Sequence, residues 1–331
     1  MDLVLKEKVD LMVENYHQLK KGFKWDMDLL KHFGAMIHAS KGQEVHIDTL
    51  ETIKKYIKDE TSWTSYFRGV NSFILANLLN FEDDYKNTFK NMENVYERMR
   101  NAGFKNSTYL PLAAYTIAKE VPLEQWECRI NRMEHFYEKM KKNHFWLTSA
   151  DDYVFAAVLA TTDLDIEGTA ERIESCYRLL NEKGLYKGND LQTLSHILAI
   201  GEEEVNLKCS KAMKLYQGLK DKKCKLQYNG LASLGVLTLI TSDVEKMVNE
   251  IKEVYDYIYE KDGYGFWSLD KNMRVILAST LVSDYYIEGI KKGILQVALG
   301  NSINAIIIAQ QQAAITAACT ASAAAASAAS S

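Results

Sequence analysis

Four short stretches of the chain concentrate residue types that can do chemistry. His144 to Tyr153 reads HFWLTSADDY, and its adjacent carboxylates Asp151 and Asp152 could serve as a carboxylate pair or hold a cation with solvent oxygens. The same two residues, with Ser149, could equally cap and charge a helix N-terminus. Lys187 to Leu198, KGNDLQTLSHIL, sets Asn189 and Asp190 at a helix start, with His196 on the helical face of Asn189. An imidazole there is either a base titrating near neutral pH or a core histidine among apolar neighbours. Gly265 to Arg274, GFWSLDKNMR, offers Trp267, Asp270 and Arg274 to a pocket mouth, and Trp63 to Gly69, WTSYFRG, offers Arg68. Aromatic and arginine together are common at interfaces, and inter-repeat packing uses them as well.

These side chains are candidates for ligand binding, and no catalytic role can be assigned to any of them from pattern alone. The chain holds no GxxxxGK[ST], GxGxxG after a strand, HExxH, GxSxG or paired CxxC, which removes the common nucleotide, zinc-protease and serine-hydrolase readings. Cys128, Cys176, Cys209, Cys224 and Cys319 fit neither a zinc site nor a disulfide framework, so no metal and no cofactor is expected, and the compartment reads as a reducing cytoplasm. The opening MDLVLKEKVD mixes charges of both signs and lacks the apolar core of a secretory signal. A net charge of −4 leaves no electrostatic footprint for nucleic acid.

The elements that must position these residues are helices. Only 2 prolines, Pro111 and Pro122, interrupt 331 residues dominated by helix formers. Tyrosine sets a register: Tyr16, Tyr56, Tyr96, Tyr137, Tyr177, Tyr216 and Tyr255 recur about every 40 residues. The text from them matches too, as in YERMRNAGF from Tyr96, YEKMKKNHF from Tyr137 and YRLLNEKGL from Tyr177. An apolar residue three places on, lysines or arginines around it, and Gly22, Gly103, Gly184 and Gly263 beyond predict a helix C-terminus closed by a left-handed cap. The tyrosines themselves read as packing elements whose hydroxyls find polar partners.

Between these outer helices lies a more apolar, alanine-rich kind, such as SFILANLL from Ser72, LAAYTIA from Leu112, FAAVLA from Phe155 and LGVLTLI from Leu234. Near-continuous apolarity predicts burial on most sides, so these are inner helices. Acids mark the turns that follow them, among them Asp83, Asp84, Asp163, Asp165, Glu203 and Asp243, where a helix start favours negative charge. Each unit is then a hairpin that cannot bury its own apolar face, and stacking gives either a superhelix or a closed ring.

No charged residue follows Lys292, and the chain ends in an isoleucine-rich run and an Ala/Ser tract. Asn301, Asn304, Gln310, Gln311 and Gln312 interrupt it, so a last helix packed on or inside the array is favoured over a membrane anchor.

The segments WTSYFRG, FWLTSADDYVFAAVLA, LYKGNDLQTLSHILAI and NSINAIIIAQQQAAITAA resemble the bacterial family known as domain of unknown function 4003, found mainly in Firmicutes, over nearly the whole chain. The resemblance implies a cytoplasmic bacterial protein and brings no catalytic residue with it. Gln125-Trp126 and the Gly265-Phe266 turn also bear a weaker likeness to the α/α toroids of terpene cyclases and protein prenyltransferases, although the chain lacks their DxDD motif and an Asp/Cys/His zinc set.

The sequence thus predicts an all-α protein of tandem helical hairpins forming an α/α superhelix or α/α toroid. About seven units span residues 1–290, and an uncharged C-terminal helix with an Ala/Ser-rich tail spans 291–331. An interaction or scaffold module is the leading functional expectation, and an enzyme or small-ligand binder with a central cavity is the alternative. The expected partner is a protein or a small ligand, with neither nucleic acid nor membrane.

Overall fold

The computed structural model describes residues 1–292 and 309–319, and among these there is no β-strand. Seven outer helices are α1 (Leu3–Gly22), α3 (Ile47–Glu60), α5 (Tyr85–Asn101), α7 (Trp126–Asn143), α9 (Ile166–Glu182), α11 (Val205–Asp221) and α13 (Val244–Tyr259). They alternate with seven inner helices: α2 (Asp28–Ser40), α4 (Val70–Leu79), α6 (Leu110–Glu120), α8 (Asp152–Ala160), α10 (Asn189–Ile200), α12 (Gly230–Ile240) and α14 (Lys271–Lys291). Residues 309–319 are helical as well.

Burial separates the two kinds as the apolar pattern requires. In α5 only a stripe including Phe89, Met92, Tyr96 and Met99 is buried, whereas every residue of α8 and α12 is. Acids in the inner-to-outer turns cap the outer helices: Asp84 accepts from the Asn87 amide, Asp165 from Gly168 and Asp243 from Lys246. Two of the seven register tyrosines place their hydroxyls on polar partners, Tyr96 donating to Asn106 Oδ1 and Tyr177 accepting from the Gly188 amide. Gly103, Gly184 and Gly263 take the positive φ of a left-handed cap.

Gly22 is a correction. It sits in the last turn of α1 without positive φ, and a Cβ there would lie 2.5 Å from Ile47 Cγ2, so close approach of α3 is what it permits. The first inner helix, α2, was also illegible as one, because Asp28, Lys31, His32 and His38 make it look polar. It is nonetheless buried from Leu30 to Ala39, with Lys31 paired to Asp28 at 2.9 Å and His32 stacked 4.0 Å from Tyr16.

Consecutive outer helices touch one another, as do most consecutive inner helices, and the series closes because α1 and α2 pack on α13 and α14. Where α4 approaches α6, Asn71 Nδ2 donates to the Thr108 carbonyl at 2.7 Å. The closing seam is polar on its edges. Lys8 Nζ donates to Asp284 Oδ2 and to the Ser40 carbonyl, both at 2.7 Å, while Lys261 and Tyr257 converge on Asp10. Tyr264, fully buried at the seam, stands edge-on to Tyr16 and His32.

The described part of the C-terminal segment lies in the lumen of this ring. Ala309, Ala313, Ala314, Ile315, Ala317 and Ala318 are buried, Gln310 Nε2 donates to the Thr280 carbonyl of α14, and Gln312 Nε2 donates to Thr116 Oγ1 of α6. Residues 293–308 and 320–331, over which the rest of the expected uncharged helix and the Ala/Ser tail extend, lie outside the described residues. Among the described residues no helix is long and apolar enough to cross a membrane.

Candidate functional site

The outer-to-inner turns form one rim of the ring, and the N-termini of α6, α8, α10 and α12 meet there around a cavity of about 400 Å³. Its wall comes from equivalent register positions: Tyr109, Asp151 and Asn229 are the residues preceding α6, α8 and α12, and Asn189 and Asp190 open α10. Phe155 and Thr193 extend the wall downward, and Ala313, Thr316 and Ala317 of the lumen helix close the floor.

At none of these four helix starts does the side chain of the residue before the helix bond the first turn, although Ser107 Oγ accepts from the Leu110 amide of α6. Asp151 bonds sideways instead, accepting from Ser149 Oγ and, at 3.4 Å, from Asn189 Nδ2 of the next hairpin. The carboxylates therefore face a cavity already rich in the partial positive charge of helix N-termini. Burial, and then the neighbouring Asp151 charge, raise the proton affinity of Asp190.

Asp152 is turned away from the cavity into the protein. Its Oδ2 accepts from the Ser149 amide at 3.0 Å, and its Oδ1 lies 3.8 Å from His196 Nδ1. Burial is the main cause, with Asp151 second, that pushes its pKa up to about 8, and burial lowers that of His196 to about 3. The pair is therefore a neutral carboxyl beside a neutral imidazole near pH 7, and neither His196 nitrogen has a hydrogen-bond partner.

Of the residues singled out from sequence, the structure brings Asp151, Asn189 and Asp190 together on the cavity wall, with Asp152 and His196 packed behind them. The other four lie elsewhere. Arg68 donates to the Lys58 and Thr61 carbonyls at the end of α3, and Asp270 caps α14 through the Met273 amide. Arg274 is buried and holds the preceding turn by its Tyr264, Gly265 and Leu269 carbonyls, whereas Trp267 stands in solvent. Tyr109, Phe155, Thr193, Tyr228 and Asn229 escaped the sequence reading. The repeat register held the signal for Tyr109 and Asn229, which occupy the position of Asp151 one hairpin before it and two hairpins after it. Among the described residues, no group of three His, Cys, Asp or Glu is placed to hold a metal ion.

A ring of α/α hairpins carrying a polar cavity at one mouth and a helix in its lumen is a helical-repeat architecture. Within that class, the chain belongs to the family described as protein of unknown function DUF4003, whose model matches residues 15–312. It is similar to an uncharacterized protein of Bacillus subtilis strain 168, YeaA, with 28% identity over 315 residues, which is 93% of this chain and 92% of that one. No solved structure matches the chain.

Proposed function

We propose that this protein binds a small, neutral, polyhydroxylated ligand of the sugar class in the rim cavity. The observation that carries the reading is the composition of the wall: Asp151, Asp190, Asn189 and Asn229 supply acceptors and amide donors, while Tyr109, Phe155 and Tyr228 supply ring faces. Hydroxyl groups both donate and accept, so they match a wall of mixed polarity, and the apolar face of a sugar ring packs on aromatic carbon. The opposing signs of carboxylates and helix N-termini favour neither a strong anion nor a strong cation. A volume of about 400 Å³ is in the range of small-molecule sites.

The interaction-module reading takes second place because closure removes the open concave surface that solenoid arrays present to protein partners. A catalytic extension has one arrangement in its favour, two carboxylates on one cavity wall with the proton affinity of Asp190 raised by burial and by the Asp151 charge, as the acid of a glycosidic hydrolysis requires.

Thermal denaturation in the presence of a panel of mono- and disaccharides tests the proposal. A binding sugar at about 100 times its Kd should stabilise the fold by about 2.7 kcal/mol, and Asp151→Asn combined with Asn189→Ala should abolish the gain. A panel without effect on the wild type, alongside a shift from small amines or phosphates, would sink the sugar assignment. Turnover of a nitrophenyl glycoside, lost in Asp190→Asn, would add the catalytic step.

A further inference from the structure

The rim that carries the cavity also carries the exposed aromatic residues. Four of the chain's five tryptophans stand there in solvent: Trp25 is 99% exposed, Trp63 84%, Trp146 93% and Trp267 93%. They occupy the α1–α2, α3–α4, α7–α8 and α13–α14 turns, and Tyr186 and Tyr228 project from the two turns between α9 and α12. Phe145 and Phe266 accompany Trp146 and Trp267, each ring touching its neighbour edge-on. The remaining turn, α5–α6, presents Lys105 instead. The fifth tryptophan, Trp126, is buried and donates to the Val121 carbonyl, so this fold can accommodate the side chain when packing calls for it. Among the described residues no exposed aromatic lies at the opposite rim.

We propose that this aromatic rim docks peripherally on an anionic lipid surface, with the ring lying flat and its single-turn side chains entering the headgroup region. Indole and phenol rings are the side chains that favour that boundary, being apolar in body and polar at one edge. Exposed lysines punctuate the same rim at Lys24, Lys105, Lys187, Lys222 and Lys223. Lysine is attracted to anionic headgroups but depleted from the cores of protein–protein interfaces, and this separates a bilayer from a protein partner. The aromatic groups also sit apart around a ring instead of forming one contiguous patch, which suits a fluid surface better than a shaped one.

The net charge of −4 does not by itself oppose such docking: the far rim exposes Asp83, Asp84, Asp163, Asp165, Glu202 and Glu204, while the acids exposed at the aromatic rim, Asp59, Glu60, Asp262 and Asp270 among them, are interspersed with its lysines. The inner helices α4, α6, α8, α10 and α12, of 9 to 12 residues, separate the rims. At 1.5 Å per residue that is roughly 14–18 Å, about two Debye lengths at physiological salt. Attachment of this kind needs no membrane-crossing helix.

Co-sedimentation of the full chain with phosphatidylcholine vesicles, with and without about 30 mol % phosphatidylglycerol, is the test. The wild type should pellet with the anionic vesicles and its tryptophan emission should shift to the blue. The variant carrying Trp25→Ala, Trp63→Ala, Trp146→Ala and Trp267→Ala should keep the wild-type melting temperature and lose about tenfold in bound fraction. A wild type that stays in the supernatant with both vesicle types would overturn the proposal, as would a variant that pellets equally well. Concentration-dependent self-association without vesicles, lost in the variant, would overturn it in favour of a second copy of the chain.

Discussion

Gln312 of the lumen helix donates through Nε2 to Thr116 Oγ1 of α6 at 3.0 Å, joining residues 196 positions apart at a fully buried point. Together with Gln310 on Thr280 of α14, this bond ties the end of the chain to two well-separated sectors of the ring. The glutamines that made a membrane span costly are thus accounted for in part by polar contacts inside the ring.

If residues 309–319 are part of the core, Ile315→Ala should cost about 2–4 kcal/mol, since Ile315 is buried and the ring cannot readily collapse on the vacated space. Urea denaturation at pH 7 measures this. A loss below about 0.5 kcal/mol is what a surface position would give, and it would contradict the lumen placement.

Ring closure has its own test at Lys8. Its ammonium is bonded to Asp284 and to the Ser40 carbonyl, with Glu288 at 3.3 Å, and the desolvated Asp284 carboxyl already has raised proton affinity. Lys8→Met leaves that carboxyl without its counter-ion at a mostly buried site, and the expected loss is about 3–5 kcal/mol at pH 7. The deficit should shrink in acid as Asp284 takes up a proton. An equal deficit at pH 5 and pH 8 would point to packing alone.

Two sets of buried groups make stability depend on pH with opposite signs. Burial lowers His32 and His196 to about 3 and His38 to about 4, from 6.5. Each is neutral when folded and protonated when unfolded in that window, so stability falls as pH drops below 6.5, by about 1.4 kcal/mol per unit per histidine. Urea midpoints between pH 7 and 5 should show it, and His38→Gln should lower the slope by about 1.4 kcal/mol per unit below pH 6.5. Asp152 runs the other way: with a folded pKa of about 8 against 3.8, its contribution is present at low pH and lost as pH rises towards 8. Asp152→Asn should therefore gain on the wild type steadily from about pH 4 to about pH 8. A gap that does not change with pH would contradict a protonated Asp152.

The repeat also predicts a stabilising change. Lys223 stands where Gly103 and Gly184 stand in other hairpins and adopts φ 61°, a left-handed conformation that costs a Cβ-bearing residue about 1–2 kcal/mol. Lys223→Gly should recover about 0.5–1 kcal/mol after the entropy of glycine in the unfolded chain is subtracted. A thermal melt decides it, and a lower melting temperature would mean that the Lys223 side chain makes a compensating contact.

The sequence by itself determined what local physics controls: helices throughout, a hairpin period near 40, buried inner and half-buried outer helices, and caps at Asp84, Asp165, Asp243, Gly103, Gly184 and Gly263. Those features depend on residues within a turn or two of each other, so they survive as pattern. It also picked out Asp151, Asn189 and Asp190, because polar residues crowd a turn within a few positions. The tertiary structure decided the rest. Closure depends on the relative rotation of successive hairpins, summed over seven of them, and only then do Lys8 and Asp284 meet. Burial of α2 was hidden because Lys31 pairs with Asp28 and the His32 ring packs on Tyr16 and Tyr264 with its nitrogens unbonded, contacts that no periodicity displays. The Asp152–His196 pair, the floor supplied by Ala313 and Ala317, and the gathering of four distant tryptophans on one rim all require the ring to exist first. Each joins residues that the chain keeps tens to hundreds of positions apart, and only the packed ring brings them within reach.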